Sequence, residues 1–483
     1  MRSVLALDYG ATSGRGIVCS IQNGKIHMEE IYRFPNSPVQ HEGTLCWDFN
    51  AIMEHTCRCL SLADRLCDVE SIAIDTWGLD FGLLGKDGVL MEPPVSYRDD
   101  RTAGMMEEVF KIVPAPELYE RTAVQFLQEN TIYQLMALKK TRPELLEKAG
   151  RLLMMPDLIY YYLTGYGGTE YTVATTTQLI NARKRQWDQE ILERLKLPGR
   201  LFGPVETECS RPLLPDICRK LGIRQRTVRK IASHDSACCA CAIPAEDENF
   251  LYINSGTWSI IGTQLPAPHI SRRSFESNMA NEGGYGGTIR YLRSVNGMFP
   301  VEQCRKEWGE QGMDVSFETL NDMAQKAWPP PSFVDPEAEE LKKPGGMPDK
   351  IRKACRERGQ RVPETPGEIL SCIYTGLAFR CRYEIEAMEE ELGRSYRTVY
   401  LVGGGARNDV LNRILADVMN KNIVVGPDEA TALGNACMQF VQTGIADSLA
   451  EVRRMTGYGQ KTYEPAAGAY WETAYHNYKK GLK

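Results

Sequence analysis

The chain lacks the features that mark nucleic-acid-binding and membrane proteins. Its 57 Lys and Arg residues are outnumbered by 63 Asp and Glu, and no block of basic residues interrupts the 483 positions. This composition excludes the basic footprint of a nucleic-acid partner. No apolar run approaches the length of a membrane span, and the apolar stretch near the start is too short for a signal-peptide core. The sequence therefore predicts a cytoplasmic protein with neither a nucleic-acid nor a membrane partner.

Zinc-ligand spacing and the P-loop are also missing. Among 15 cysteines and 6 histidines, the clusters 57–59 and 238–241 have no second pair at zinc-ligand spacing, so most thiols should be free and buried. The nearest approach to a P-loop is GLLGKDG at 82–88, which has no Ser or Thr after its Lys. A nucleotide site must therefore be built from other loops.

A strand, a small hydroxylated turn and a second strand occur twice. The first copy is SVLALDYGATSGRG, residues 3–16, and the second is FLYINSGTWSIIG, residues 250–262. The first copy alone reads as an ordinary hairpin with a chance acidic residue. The repetition favours a duplicated unit in which two such turns cradle phosphates across a cleft. Asp8, at a strand end, would then hold the magnesium ion that accompanies those phosphates.

A glycine triplet, residues 403–405, follows the apolar strand of TVYLVGGGARND. Asn408 and Asp409 predict a helix N-terminus, and a strand over 423–425 and a helix from about Glu429 follow. The region therefore predicts a βαβα unit with parallel strands. The glycines would let a flat ring or a ribose lie on the backbone. The alternative is a tight turn with packing glycines.

The segment RKIASHDSACCAC offers a catalytic base. Asp235 would lie between a strand and a helix, where the helix dipole should keep it ionised and ready to accept a proton. His234 and Ser236 would hydrogen-bond a polyol. A simple helix cap explains the same pattern equally well. Trp77 and Gly78 would form an apolar wall for a sugar, although a lone Trp is more often a core residue.

Three further stretches complete the expected elements. The stretch 71–81 should be a buried strand that ends in Asp75, Trp77 and Gly78, and helices should cover 154–165 and 366–393. The residues 327–350, rich in Pro, Gly and charge, should be the least structured part of the chain.

Taken together, these motifs resemble the FGGY carbohydrate kinases. The likeness runs nearly end to end, through LDYGATSGR, IDTWGLDF, VSYRDDRT, LLMMPDLIYYYLTG, YTVATTTQLIN, SHDSA, SGTWS, NEGG and LVGGGARN. The resemblance implies an α/β fold of two actin-like (ribonuclease H-like) ATPase domains around a central cleft, over residues 1–241 and 242–483. It also implies a small-molecule sugar and ATP as substrates, with Mg²⁺.

The resemblance carries site roles to matching positions. Asp235 resembles the catalytic base, and Asp8 resembles the magnesium-side aspartate. The ketose contacts correspond to Gly78, His234 and Ser236. The nucleotide contacts correspond to Ala11, Thr12, Ser13, Gly14, Arg15, Thr257 and Gly404.

The segment LRSVNGMFPVEQ departs from the family pattern, which has an asparagine for the sugar and a glutamine for the nucleotide. A gapless match puts Ser294 and Glu302 there, and a small shift puts Asn296 and Gln303 there. Because Pro300 makes a local rearrangement plausible, we assign Asn296 to the sugar and Gln303 to the nucleotide. The resemblance also matches Cys67 with Cys218 and Cys355 with Cys372, which pair in some members, although a reducing cytosol favours free thiols.

Within the family, the resemblance implies transfer from ATP to the 1-hydroxyl of L-rhamnulose in rhamnose catabolism. Another deoxyketose or a pentulose, such as L-fuculose, is an alternative acceptor. An actin-like ATPase without a sugar acceptor and a catalytically inactive sugar sensor are further alternatives.

Overall fold

The computed structural model divides the chain into two compact units. It describes residues 2–245, 249–330, 332–427, 429–457, 461–466 and 469–482. Unit 1 contains Met1–Glu248, Gln264–Tyr291 and Ala430–Gly457, and unit 2 contains Asn249–Thr263, Leu292–Glu429 and Tyr458–Lys483. The predicted α/β class is confirmed. A domain boundary after Cys241 stays a prediction, and the units differ from the predicted halves because unit 1 takes in two later segments.

Unit 1 is built around a mixed sheet with helices on it. Its strands are Ser3–Tyr9, Ser13–Gln22, Lys25–Pro35, Val39–His41, Thr44–Cys46, Val69–Thr76, Phe81–Leu84, Arg151–Met154, Thr169–Glu170, Ile180–Asn181, Gln186–Trp187, Val205–Glu206, Cys209–Pro212, Thr227–Lys230 and Ala280–Gly283. Its α-helices are Phe49–Leu66, Met105–Phe110, Ala115–Thr122, Thr131–Thr141, Pro143–Lys148, Met155–Thr164, Tyr171–Thr175, Gln189–Arg194, Pro215–Leu221, Asp235–Cys241, Arg272–Glu276, Ala430–Gln442 and Leu449–Met455.

The sheet of unit 1 has Val69–Thr76 and Ser3–Tyr9 at its centre. Ser3–Tyr9 pairs antiparallel with Ser13–Gln22 and parallel with Val69–Thr76, which in turn pairs parallel with Thr227–Lys230. Every residue of Ser3–Tyr9 is buried, as expected for an apolar strand covered on both faces. The first predicted hairpin is therefore confirmed.

Alternate residues of the strand Val69–Thr76 face different helices. Ile72 and Ile74 belong to a core with side chains of the helices Phe49–Leu66 and Met155–Thr164. Ala73, between them, packs with Cys238 and Met438. Because successive side chains of a strand point to opposite faces, the helices Asp235–Cys241 and Ala430–Gln442 cover the second face.

Those two covering helices approach each other closely. A Cβ built on Gly434 would lie 1.8 Å from the Cys238 carbonyl oxygen. Such a contact is far inside van der Waals range, so glycine is required at position 434. The close approach fixes the helix that begins at Asp235 against the sheet.

Unit 2 repeats the arrangement of a hairpin followed by parallel strands. Its strands are Leu251–Ser255, Trp258–Leu265, Ile289–Asn296, Thr398–Val402, Asn422–Val425 and Thr462–Tyr463, of which the second and third run on across a unit boundary. Its α-helices are Phe299–Glu310, Phe317–Lys326, Met347–Glu357, Pro366–Leu392, Asp409–Met419 and Ala469–Lys480.

The duplication is visible in the pairing of strands. Leu251–Ser255 pairs antiparallel with Trp258–Leu265 and parallel with Thr398–Val402, as Ser3–Tyr9 does with its two neighbours. Thr398–Val402 also pairs parallel with Asn422–Val425. The predicted βαβα region is thus confirmed, and Asn408 caps its helix by accepting a hydrogen bond from Leu411 N at 3.0 Å.

The segment 327–350 is mainly a loop, as its composition predicts. It contains the 3₁₀ helix Glu339–Lys342 and the start of the helix Met347–Glu357. Leu341 and Met347 are fully buried. Most of its described residues lie outside helices and strands, as predicted, and these two buried side chains anchor the loop to the core of unit 2.

Candidate active site

Asp235 lies where an extended segment of unit 1 turns into a helix. The strand Thr227–Lys230 leads to His234, which forms an isolated bridge with Thr76 at the end of the central strand. The helix Asp235–Cys241 follows at once. Its small side chains permit the close contact with the helix Ala430–Gln442. The predicted strand-to-helix junction is confirmed.

The carboxyl group of Asp235 remains accessible. Its side chain is 34% exposed, and Oδ1 accepts a hydrogen bond from Ser236 N at 2.6 Å. Partial burial raises the pKa of Asp235, the His234 ring opposes that rise, and Asp8 adds to it. We predicted that a helix dipole would keep this group ionised. An ionised Asp235 stays a prediction, and a raised pKa makes its carboxylate a stronger base.

His234 and Ser236 belong to a buried polar cluster with Arg290 and Glu282. Arg290 Nη1 donates to Ser236 Oγ at 2.9 Å, and Arg290 Nη2 donates to Glu282 Oε2 at 2.8 Å. His234 Nδ1 lies 3.4 Å from Glu282 Oε2, and His234 Nε2 lies 3.4 Å from Asp235 Oδ1. The three consecutive residues that we predicted from the sequence are therefore brought together with two charged residues that we did not predict.

A second buried carboxyl group holds the backbone that leads to Asp235. Glu170 Oε2 accepts hydrogen bonds from Ser233 N and Val173 N, each at 3.1 Å. Thr172 Oγ1, which itself donates to Glu170, accepts from His234 N at 3.2 Å. Burial raises the pKa of Glu170 to about 7, and the bonds from residue 172 oppose that rise. The path of the chain into residue 234 is therefore set by side-chain bonds.

The turn at Gly78 is shaped by its neighbours in unit 1. A Cβ at Gly78 would lie 2.8 Å from Thr176 Cγ2, and Thr176 Oγ1 accepts from Leu79 N at 3.0 Å. Leu79 has a left-handed backbone with φ of 75°, and its carbonyl accepts from Thr131 Oγ1 at 2.6 Å. Close packing inside the protein thus explains the glycine, and a sugar contact at Gly78 stays a prediction.

Trp77 is a core residue and does not form an exposed wall. It is 5% exposed, and its ring centroid lies 4.2 Å from that of Trp47. Both indole Nε1 atoms donate to Asp80 Oδ2, at 3.0 Å from Trp77 and 2.7 Å from Trp47. Burial raises the pKa of Asp80 to about 6, and these indole bonds oppose the rise. The core interpretation of Trp77 is the one that the structure supports.

Asp8 faces Asp75 across the two central strands. The two residues are partners in the parallel register, and Arg15 Nη2 lies 2.8 Å from Asp8 Oδ2. Asp75 is fully buried, and Oδ2 accepts from Asn435 Nδ2 at 2.6 Å. Within the described residues, Asp75 Oδ1 has no hydrogen-bond partner. Burial, and then the neighbouring Asp8, hold the pKa of Asp75 well above its usual range.

The loop between the first two strands is short and held by Asn36. Asn36 N donates to Thr12 O at 3.0 Å, and Asn36 Nδ2 donates to Gly10 O at 2.7 Å. These bonds engage loop carbonyls. Of the predicted phosphate-loop residues, Thr12 is exposed, Ala11, Ser13 and Arg15 are part-buried, and Gly14 is buried against Phe34.

Unit 2 contains a pocket of about 220 Å³ at the second hairpin and the glycine triplet. It is lined by Gly256, Thr257, Met298, Glu302, Phe317, Asn321, Gly404, Gly405, Arg407 and Asn408. Thr257 and Gly404, which the sequence assigns to phosphate and adenosine, therefore line one cavity. The hairpin loop is held in place because the Thr257 carbonyl accepts from Gly297 N at 3.0 Å.

The wall of this pocket contains Glu302 and not Gln303. Glu302 pairs with Arg305 Nη1 at 3.1 Å, and the Arg305 guanidinium lies 4.2 Å from the centre of the Phe317 ring. Gln303 points elsewhere and accepts from Gly345 N at 3.3 Å. The residue found in the pocket is thus the one given by the gapless match, and a nucleotide role for Gln303 has no support in the structure.

Asn296 is occupied by the fold of unit 2. It is 3% exposed, and its Nδ2 donates to Pro336 O at 2.8 Å and to Leu341 O at 3.3 Å. Its backbone N donates to Glu337 Oε1 at 2.5 Å. These bonds tie the 336–341 segment to the end of a strand. A sugar contact by Asn296 stays a prediction, and these bonds argue against it.

The cysteines are free thiols across the described part of the chain, and most are buried, as predicted. The two pairings that the resemblance implies are not formed. Cys355 Sγ lies 3.7 Å from Cys372 Sγ and forms no disulfide bond with it. Cys67 and Cys218 are free thiols as well.

Three charged residues of unit 1 were missed in the sequence. Glu282 lies in the NEGG motif, to which we gave no role, and Arg290 is a buried charge in the strand Ile289–Asn296. Asp75 was noted only as a strand end. A charged residue inside a buried strand is the signal that would have revealed Arg290 and Asp75, because such a charge needs a partner.

The described residues show neither a membrane span nor a ready-made metal cluster. No helix among them is long and apolar enough to cross a membrane. Nor do they contain a group of three or more His, Cys, Asp or Glu side chains that could hold a metal ion.

Comparison with known proteins gives full-length matches. The N-terminal domain of the FGGY family of carbohydrate kinases matches residues 3–241, and its C-terminal domain matches residues 251–443. A rhamnulokinase of Bacteroides thetaiotaomicron is 38% identical over 100% of both chains. A rhamnulokinase of Oceanobacillus iheyensis is 35% identical over 95% of this chain and 97% of its own.

Solved structures agree in fold at low sequence identity. A xylulose kinase of Rhodospirillum rubrum superposes with a TM-score of 0.83 at 15% identity, over 100% of this chain and 98% of its own. A glycerol kinase of Plasmodium falciparum with ADP superposes at 0.81 and 14%, over 100% and 98%. These likenesses show the actin-like ATPase fold of sugar kinases. The two domain matches and the full-length relatives together show that the chain belongs to the FGGY family of carbohydrate kinases.

Proposed function

We propose that the protein transfers the γ-phosphoryl group of ATP to the 1-hydroxyl of L-rhamnulose, in rhamnose catabolism. The observation that carries the choice of sugar is the likeness to rhamnulokinases, at 38% identity over the whole of both chains in one case. The Asp235 cluster supports the reaction class, because an accessible carboxylate with hydrogen-bonding neighbours is what transfer to a sugar hydroxyl requires.

Asp235 acts as the general base in this proposal. Its carboxylate takes the proton of the 1-hydroxyl as that oxygen attacks the γ-phosphorus, and the bond from phosphorus to the β-γ bridging oxygen breaks. The raised pKa of Asp235 favours proton acceptance. His234 and Ser236 hydrogen-bond the other hydroxyls of the ketose, and the Gly78 turn lines the sugar.

The first hairpin loop and Asp8 serve the phosphates and Mg²⁺. The backbone of residues 11–13, of which Thr12 is exposed, and the Arg15 guanidinium suit phosphate oxygens. Asp8 and the unpartnered Asp75 Oδ1 are oxygen donors of the kind that Mg²⁺ prefers, and this ion usually keeps several waters. When bound with ATP, Mg²⁺ would neutralise charge on the phosphates.

The pocket of unit 2 receives the nucleoside. Thr257 and Gly404 both line it, and Phe317, which is 52% exposed, offers an aromatic face for a base. Asn321 Oδ1 is a buried acceptor without a partner among the described residues. It suits an exocyclic amino group such as that of adenine. Glu302 takes the position that we first gave to Gln303.

The test is ADP release from Mg·ATP with L-rhamnulose, L-fuculose, L-xylulose, D-xylulose and glycerol. We expect strong stimulation by L-rhamnulose. Stimulation by another sugar alone would keep the kinase and overturn the substrate. Basal hydrolysis without stimulation by any acceptor would favour an actin-like ATPase without a sugar substrate.

The variant Asp235→Asn tests the role of the base independently of nucleotide binding. Loss of a general base should lower sugar-dependent turnover by about 10²- to 10⁴-fold, while binding of ATP, measured by calorimetry, should persist. Full activity of this variant would remove Asp235 from the role of base.

A further inference from the structure

We propose that Glu282 and Arg290 are positioning residues for the transfer, which hold His234 and Ser236 in place beside Asp235. The inference rests on the proposed function of the Asp235 site. Both residues belong to unit 1, on the strands Ala280–Gly283 and Ile289–Asn296.

The guanidinium of Arg290 is buried and bonds two other elements, the strand Ala280–Gly283 and the helix Asp235–Cys241. Its side chain is 1% exposed. Nε donates to Gly283 O at 3.0 Å, Nη1 donates to Ser236 Oγ at 2.9 Å, and Nη2 donates to Glu282 Oε2 at 2.8 Å. Because the guanidinium is planar and its donors have fixed directions, these bonds set the position of the Ser236 hydroxyl.

Glu282 places a negative charge on one side of the His234 ring. Its Oε2 lies 3.4 Å from His234 Nδ1, and the opposite ring nitrogen, Nε2, lies 3.4 Å from Asp235 Oδ1. Burial alone would raise the pKa of Glu282, but His234 and Arg290 together lower it to about 2. Arg290 Nη2 also lies 3.2 Å from His234 Nδ1. The Glu282–Arg290 pair therefore holds this side of the ring, so that Nε2 faces Asp235.

A purely structural pair would look different. Arg290 needs one carboxylate to compensate its charge, and Glu282 supplies it. That need explains neither the bond from Arg290 to Ser236 nor the contact of Glu282 with the ring. Both extra contacts lead to side chains on the same short segment, residues 234–236, which the proposed function assigns to the sugar and its proton.

The first test compares Glu282→Gln and Arg290→Lys with the wild type. Glutamine keeps the shape of the side chain without its charge, and lysine keeps the charge without the planar donors. We expect each variant to lower kcat with the ketose by about 10- to 100-fold and to raise the ketose KM. The ATP KM should stay within about twofold. Glu282→Asp should recover part of the loss.

Glu384→Gln is the matched control. Glu384 is a buried carboxylate whose ion-pair partners, Arg293 and Arg380, lie with it in unit 2. Its variant should lower thermal stability and leave the ketose KM unchanged.

A double-mutant cycle shows whether Glu282 acts through His234. In a His234→Gln background, the further change Glu282→Gln should lower kcat by less than about twofold, because the side chain that it positions is gone. Additive losses, or variants at residues 282 and 290 that behave like the control, would overturn the inference. If Glu282→Gln does not fold, Glu282→Asp and Arg290→Lys decide in the same way. An inactive wild type overturns the proposed function instead.

Discussion

The closest helix contact in unit 1 allows a sharp prediction for Gly434→Ala. The new Cβ would start 1.8 Å from the Cys238 carbonyl oxygen, and real Cβ contacts are essentially never shorter than 3.0 Å. The two helices must therefore separate by at least about 1.2 Å. The helix that moves begins at Asp235, so the proposed base moves with it.

The expected size of the effect follows from that displacement. Overpacking of a close-packed core usually lowers the free energy of unfolding by about 1–3 kcal/mol. A misplacement of about 1 Å at reacting groups can lower turnover about 100-fold. We therefore expect Gly434→Ala to lose both stability and ketose-dependent kcat. Thermal unfolding and ADP release at saturating ketose measure the two effects separately.

Two other glycines separate displacement of the base from overpacking alone. A Cβ at Gly376, on a helix of unit 2, would also lie 1.8 Å from a carbonyl oxygen, that of Val334. Gly376→Ala should lose stability without lowering the ketose-dependent kcat. A Cβ at Gly309 would approach Val315 no closer than 3.5 Å, so Gly309→Ala should change neither quantity. Our reasoning fails if Gly434→Ala folds with wild-type kcat and stability.

Three further predictions concern other sites. Folding raises the pKa of Asp80 from 3.8 to about 6. The protonated Asp80 side chain therefore stabilises the fold at low pH, and up to about 3 kcal/mol of this stability is lost as pH rises from about 4 through 6. The variant Asp80→Asn should lack this part of the pH dependence of thermal unfolding. Lys230→Met leaves Asp157, its buried ion-pair partner, without a counter-charge and should lower the free energy of unfolding by about 3–5 kcal/mol, whereas adding Asp157→Leu should restore part of it in denaturant titrations. A Cβ at Gly404 would have no atom within 4 Å, so Gly404→Ala should keep the wild-type melting temperature. Its methyl group would enter the pocket and should raise the ATP KM. An unchanged ATP KM would exclude Gly404 from the nucleotide site.

The sequence predicts local elements well because their signals are local. Both hairpins and the helix capped by Asn408 follow from short patterns of apolar, glycine and capping residues. The segment 294–303 shows the limit. The choice between Glu302 and Gln303 depends on which face of a helix meets the pocket, and the bonds of Asn296 come from a segment about forty residues later. No short pattern carries such long-range information.

The charged cluster beside Asp235 marks a second limit. Arg290 and Ser236 lie 54 residues apart in the chain, so their bond depends on the tertiary fold. The bland interpretation was the better one for Trp77, since its indole is buried against Trp47. A charged residue within a buried strand, Arg290, thus indicated the site better than the isolated aromatic residue Trp77 did.

Unit 1 is assembled from distant segments of the chain, and this affects how the protein folds during its synthesis. The strand Ser3–Tyr9 leaves the ribosome long before the helix Ala430–Gln442, which covers it. Gln439 Nε2 donates to Leu5 O at 3.0 Å across 434 residues of chain, and Asn435 bonds Asp75. Because domains form only when all their parts are available, unit 1 stays incomplete during most of translation. A nascent chain that stalls before residue 430 therefore lacks one of the two helices that cover this sheet face, and the apolar surface left exposed favours aggregation.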